Sequence, residues 1–147
     1  MNSKIKNIIV IIVGLLVGGF INMKLIEIGP SIILPPEGID MTTPEGLLEG
    51  MPLLQPKNFI FPFLAHALGT LVGAFIVAKF AETNKFNSAM LIGAFFLLGG
   101  ITMIIMIGGP LWFSGLDLVG AYFPMAWLGH KLAAGNDSMA TEDILDN

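Results

Sequence analysis

The sequence predicts an all-α membrane protein: a bundle of four transmembrane helices, both termini inside, with one long structured loop outside between helices one and two. Three observations carry this reading. Of 147 residues, 54% are apolar and 12% charged, against about 25% charged in an ordinary soluble domain. The mean hydropathy is +0.81, more apolar surface than one small core can hide. And the seven lysines punctuate long charge-free runs: Asn7 to Met23 and Asn58 to Ala78 are each near the roughly 20 residues that cross about 30 Å of hydrocarbon, while Phe86 to Leu116 is too long for one upright helix. Those runs are too continuous to read as alternating barrel strands.

The first span covers about 5–28, built on the charge-free Asn7 to Met23 between Lys6 and Lys24. It follows Lys4 and Lys6 as a signal peptide would. However, it outlasts a 7–15-residue signal core and has no small-residue cleavage site, so it reads as an uncleaved span. Gly14 and Gly18 form a GxxxG pair on it, and Asn22 lies one turn further along.

The connection 29–57 follows. Pro30, Pro35, Pro36, Pro44, Pro52 and Pro56 forbid a long helix, because an interior proline removes a hydrogen bond and clashes with the preceding turn. Its many leucines and isoleucines make it too apolar for a solvated linker. Thr42-Thr43-Pro44-Glu45 reads as a helix start, with Thr42 capping towards Glu45 or Thr43 capping ahead of Pro44. One or two turns over Pro44 to Gly50 are expected. Asp40, Thr42, Thr43, Glu45 and Glu49 then form a candidate contact surface, since loops often carry function.

The second span, about 58–80, is broken only by His66 and carries Ala65, Gly69 and Gly73 in a row beside Thr70. The third, about 87–107, offers Ala89, Gly93 and Gly100 and ends at the turn-like Gly108-Gly109-Pro110. The fourth, about 111–132, contains Asp117, Gly120, Tyr122 and Pro124, the proline bending it in mid-membrane. Small residues three or four apart let helices approach closely, and bundle packing is the simplest use of these rows. A homodimer face is the other. Residues 1–134 make one domain, and 135–147 read as an acidic, flexible cytoplasmic tail.

Orientation follows from lysine placement. With the N-terminus inside, Lys4, Lys6, Lys79, Lys85 and Lys131 are cytoplasmic, while only Lys24 and Lys57 are outside. Trp112 and Trp127 fall near opposite ends of span four, as interfacial anchors do. The expected location is a membrane crossed several times, the plasma (inner) membrane of a prokaryote.

An ionisable residue inside a membrane is by default a functional-site hypothesis. His66 lies about 12 Å below the outer surface and Asp117 about 9 Å, counting about 1.5 Å per residue from the span starts. Spans two and four run the same way, so the two residues share a depth. A His66–Asp117 pair would satisfy both groups, with Thr70, Tyr122 and Asn22 in position to extend a hydrogen-bonded chain. The pair serves either as an interhelical clasp or as a proton- or cation-handling site.

Several function classes fall away. The net charge of −4 and the absence of arginine argue against nucleic acid. With no cysteine there is no disulfide, thiolate ligand or thiol nucleophile. One His with scattered carboxylates is a thin metal set, and no nucleophile elbow, Walker loop or dinucleotide fingerprint occurs. No metal or cofactor is expected, and no enzyme. The expected partners are the lipid bilayer, other membrane-protein subunits, or a second copy of the chain.

In size and span count the chain resembles the small multidrug transporters and the small fluoride channels. The first depend on an acid in helix one, where Asn7 to Met23 has none. Gly69-Thr70-Leu71 is similar to part of the fluoride-channel pattern, but residues 72–76 lack its asparagine. Neither likeness transfers a site. The sequence therefore leads to a non-enzymatic membrane subunit, assembly factor or scaffold. The alternative is a small transporter or channel for protons, cations or a small solute using His66 and Asp117.

Overall fold

The computed structural model describes residues 2–145, with side chains as far as Gly135. Every regular element among them is helical: α1 Ser3–Ile32, α2 Pro44–Gly50, α3 Ile60–Phe80, α4 Lys85–Ile107, α5 Leu111–Gly120 and α6 Phe123–Leu145, with 3-10 turns at Met51–Leu53 and Pro56–Phe59. Three stretches are long and apolar enough to cross a membrane: Ser3–Ile32, Pro56–Phe80 and Lys85–Ile107.

α3 is the central element and packs against α1, α4 and α6. Its contact with α1 is made by glycine against backbone. A Cβ at Gly14 would lie 2.8 Å from the Gly73 carbonyl oxygen, and one at Gly73 equally 2.8 Å from that of Gly14; Gly18 and Gly69 repeat the arrangement at 2.5 and 2.8 Å. Residue numbers rise on one helix as they fall on the other, so α1 and α3 run antiparallel. The hairpin is tied at both ends. At one, Lys6 pairs with Glu82 at 2.7 Å, and Asn7 Nδ2 donates to the Thr83 carbonyl while its Oδ1 accepts from the Glu82 amide. At the loop end, Asn58 Nδ2 donates to the Leu34 carbonyl.

The same device seats α6. Gly129 lies under Leu71 and Phe75 of α3, where a Cβ would come within 2.6 Å of the Leu71 oxygen, and Gly93 of α4 faces Ala126 at 2.9 Å. The buried core is correspondingly small in side chain, with Ala65, Ala74, Ala89, Ala121 and Ala126 all fully covered. The large residues Ile8, Leu16, Phe20, Leu98 and Ile105 face outward.

α4 ends at Ile107, where Gly108 and Gly109 take φ of +80° and +143°, conformations that glycine adopts without a Cβ penalty. Asn84, with φ of +52°, turns α3 into α4; asparagine is among the few side chains that visit this region routinely. Within 33–59, Thr43 rather than Thr42 caps α2: its Oγ1 accepts from the Gly46 amide at 3.0 Å. Thr42 instead donates its hydroxyl to Asp40 Oδ1 at 2.6 Å.

The segment read as one bent helix over 111–132 is two helices, α5 and α6, interrupted at Ala121 and Tyr122. Pro124 is the reason. It has no N–H to give the Gly120 carbonyl and its ring would strike that group, so α5 stops and α6 restarts with the proline at its second position, where a missing donor costs nothing. The new helix begins cleanly, the Ala126 amide bonding the Tyr122 carbonyl at 2.8 Å. α6 then continues to Leu145, past the predicted span end at 132 and through the backbone of the expected tail. The tail's side chains beyond 135 lie outside the described residues.

Candidate functional site: a His–Asp–Tyr cluster beside a cavity

Asp117 stands in the last turn of α5, and its side chain is 3% exposed. A carboxylate so enclosed needs hydrogen-bond donors, because water is not there to solvate it. It has two. His66 Nδ1, from α3, lies 2.9 Å from both carboxylate oxygens, and the Tyr122 hydroxyl donates to Oδ2 at 2.7 Å. The Tyr122 oxygen is also 3.1 Å from His66 Nδ1, and the two rings stack at 5.7 Å between centroids. The three side chains form one closed network, each member touching the other two.

The break between α5 and α6 makes the network possible. Five residues along a continuous helix are rotated by about 140° at 100° per residue, so Asp117 and Tyr122 would face different ways. Interrupting the helix at Ala121 turns the tyrosine back over the carboxylate. Gly100 of α4 supplies the room: a Cβ there would collide with the Tyr122 hydroxyl. The small-residue row of the third predicted span, now α4, pointed to close packing, but nothing in the sequence named tyrosine as what packs there.

With Nδ1–H given to Asp117, the tautomer of His66 is set and Nε2 makes no hydrogen bond among the described residues. Asp117 and Tyr122 are sealed, whereas the His66 side chain remains 19% exposed and lines a cavity of about 500 Å³ between α1 and α4. Asn22, Phe95, Phe96, Gly99 and Met103 contribute to its wall. Chemically, the arrangement presents an oriented imidazole, backed by a carboxylate and a phenol, to a space that can hold a small molecule. An imidazole so placed can accept or pass a proton.

The other predicted positions divide. Asn22 shares the cavity with His66 but not the hydrogen-bonded network. Thr70 is fully buried and its hydroxyl has no partner among the described residues, so it extends no chain from His66. Thr102 lines the cavity yet spends its hydroxyl on the Leu98 carbonyl at 2.8 Å. Asp40, Thr42 and Thr43 form the local network that caps α2, and Glu45 and Glu49 stay exposed on that helix. The Thr42 hydroxyl and amide hold the Asp40 carboxyl below its ordinary value. Near the opposite end His130 packs edge-on against Phe86 at 5.3 Å, and Lys131 lies 4.6 Å above the Trp127 ring. Among the described residues, no three His, Asp or Glu side chains gather as a metal ion would require.

Comparison with known proteins finds no matching family model, no similar curated protein and no similar solved structure.

Proposed function

We propose that the chain is a four-span, non-enzymatic integral membrane protein, termini inside and loop 29–57 outside, in which His66 exchanges protons or a small solute with the cavity. In this arrangement α5 and α6 together make the fourth crossing. One observation carries the functional part: in a cluster whose other two members are sealed, the imidazole alone reaches open space. A mere clasp between α3 and α5 would be as well served by three buried groups and no cavity. The carboxylate fixes the ring, and the ring meets the ligand.

The test is flux across liposomes of the reconstituted protein, followed with an entrapped pH dye. His66→Gln with Asp117→Asn keeps a hydrogen-bonding pair but removes titration, since neither amide binds a proton near neutrality. The double variant should remain folded and lose the pH-dependent part of the flux. Unchanged flux and unchanged pH profile would defeat the reading.

A second reading, a membrane subunit or scaffold, is favoured by the outer loop. Asp40, Thr42 and Thr43 hold α2 in a defined shape with Glu45 and Glu49 exposed. Under that reading, Glu45→Lys with Glu49→Lys should abolish co-purification of a partner membrane protein while flux stays at the liposome background.

A further inference from the structure

The cavity beside His66 is unevenly furnished. Apart from Asn22, His66 and Thr102 its lining is apolar or glycine, and no lysine or carboxylate faces it. Thr102 is already satisfied by the Leu98 carbonyl. That leaves two polar groups without partners among the described residues: the Asn22 amide and His66 Nε2. At membrane depth an unsatisfied amide is costly, because lipid offers it no hydrogen bond. The two groups are also complementary. With Nδ1–H committed to Asp117, Nε2 carries a lone pair and accepts, while the Asn22 amide donates.

The shape points the same way. Ile92 and Phe96 of α4 reach α1 at Gly14 and Gly18 and close one end of the gap. Beyond them the wall is formed by Leu15 and Gly19 on one side and Phe95, Gly99 and Met103 on the other. A Cβ added at Gly19 or Gly99 would meet nothing within 4 Å, so the cleft is open between the two helices. Its volume, about 500 Å³, falls in the usual range for small-molecule sites of about 300–1,000 Å³.

We infer that this cleft binds a bilayer-borne amphiphile headed by a single uncharged O–H group, a long-chain alcohol or a protonated fatty acid, reached sideways between α1 and α4. The O–H donates to His66 Nε2, the head oxygen accepts from the Asn22 amide, and the chain lies along Phe95, Gly99 and Met103. With His66 neutral, as the accepting Nε2 requires, a charged head would find no counter-ion in the lining. This rests on the membrane placement and on the role of His66 proposed above, and it names what the site holds.

The experiment uses the full chain in phosphatidylcholine nanodiscs with two photoreactive probes, a diazirine-bearing hexadecanol and the corresponding hexadecanoic acid, and maps adducts by peptide mass spectrometry. Adducts should concentrate on residues 15–22 and 95–103. Unlabelled hexadecanol should compete them away, whereas hexadecane, lacking the head, should not. Labelling by hexadecanol at every pH assigns the head to an alcohol; labelling by the acid alone, rising as the pH is lowered, assigns it to a protonated acid. Gly19→Leu with Gly99→Leu fills open space, so the fold should persist while labelling falls at least tenfold. Asn22→Leu should weaken competition by hexadecanol several-fold.

Adducts spread evenly over the outward faces, or equal competition by hexadecane, would overturn the inference. So would efficient disulfide cross-linking between two copies through Gly19→Cys and Gly99→Cys, which would mean a helix of a second copy fills the cleft. The two proposals fail separately. Absent cleft labelling with pH-dependent flux intact removes the ligand and leaves the site's role. Specific labelling with no flux removes the role and leaves the ligand.

Discussion

At the residue scale the cluster behaves as a unit, so its members should be non-additive when removed. His66→Leu or Asp117→Leu alone strands a buried partner, which costs the full desolvation of the group left behind. Each single change should lower stability more than half of the double change does, with a coupling energy of about 1–2 kcal/mol in a double-mutant cycle, in the range of strong interhelical hydrogen bonds. Denaturation in mixed detergent micelles measures it, and additivity would show that the contact is energetically empty. Gly100 gives a sharper probe. Its Cβ space is occupied by the Tyr122 hydroxyl, so Gly100→Ala should pull that hydroxyl off Asp117 and change the Tyr122 absorbance and the His66 ring resonances together. Gly99→Ala, one residue away in open space, should change neither. Much of the site was legible beforehand. His66 and Asp117 are conspicuous because polar residues are expensive in an apolar run, and equal depth follows from counting. Tyr122 was expected to extend the hydrogen-bonded chain, but its direct contact with Asp117 depends on a helix break that periodicity does not announce.

At the scale of elements, two adjacent glycines in α1 have opposite duties. Gly18 lies against the Gly69 carbonyl, whereas a Cβ on Gly19 meets nothing. Gly18→Ala should therefore destabilise the α1–α3 hairpin by about 1–3 kcal/mol, the cost of overpacking a tight contact. Gly19→Ala should be neutral or stabilising by up to about 1 kcal/mol through helix propensity. Melting in detergent distinguishes them, and equal effects would mean α1 does not cross α3 through this face. The small-residue spacing was readable in the sequence, but which glycine meets which backbone was not, because spacing carries no partner. The Pro44–Gly50 helix was readable for a different reason: cap chemistry is local, and threonine before proline suffices. The segment 111–132 was not readable in this way: apart from Asp117 it is free of charge as far as His130, so only the backbone chemistry of Pro124 could reveal two helices. The end of the hairpin far from the loop should also respond to pH. Hydrogen bonds from Lys6 first, and then Ser3, hold the Glu82 carboxyl below its ordinary value of 4.5. A lowered value means the contribution is fully present above 4.5 and is lost as the pH falls through the folded-state value. The melting temperature should fall below that pH, and Glu82→Gln should flatten the decline.

At the scale of the whole molecule, the distribution of side chains is inverted relative to a soluble bundle. Alanine and glycine predominate in the core around a few larger side chains such as Tyr122, Ile92 and Val77, while Ile105 and Leu98 are 79% and 60% exposed. In water that surface would drive aggregation. In lipid it is unremarkable, because burying leucine against a neighbour gains little over burying it in acyl chains, and close packing of small residues supplies the association instead. The proposed four-span topology makes a specific demand on this inverted bundle. α1 and α3 run antiparallel and α4 returns beside α3, so Thr43 and Asn84 must lie on opposite sides of the membrane. Because α3 and α6 run in the same direction, His66 meeting Tyr122 while Gly129 meets Phe75, the end of α6 must emerge on the side of Asn84. The chain has no cysteine, so single cysteines at Ser3, Thr43, Asn84 and Ser138 can be probed with an impermeant maleimide in intact cells without background. Thr43→Cys alone should react, and the other three should react only after permeabilisation. Labelling at 84 from outside would reverse the lysine-based orientation. Opposite labelling of 84 and 138 would be more damaging. It would mean that α5 and α6 do not together complete a crossing, and the His66–Asp117–Tyr122 contact would then have to be rebuilt on a different topology.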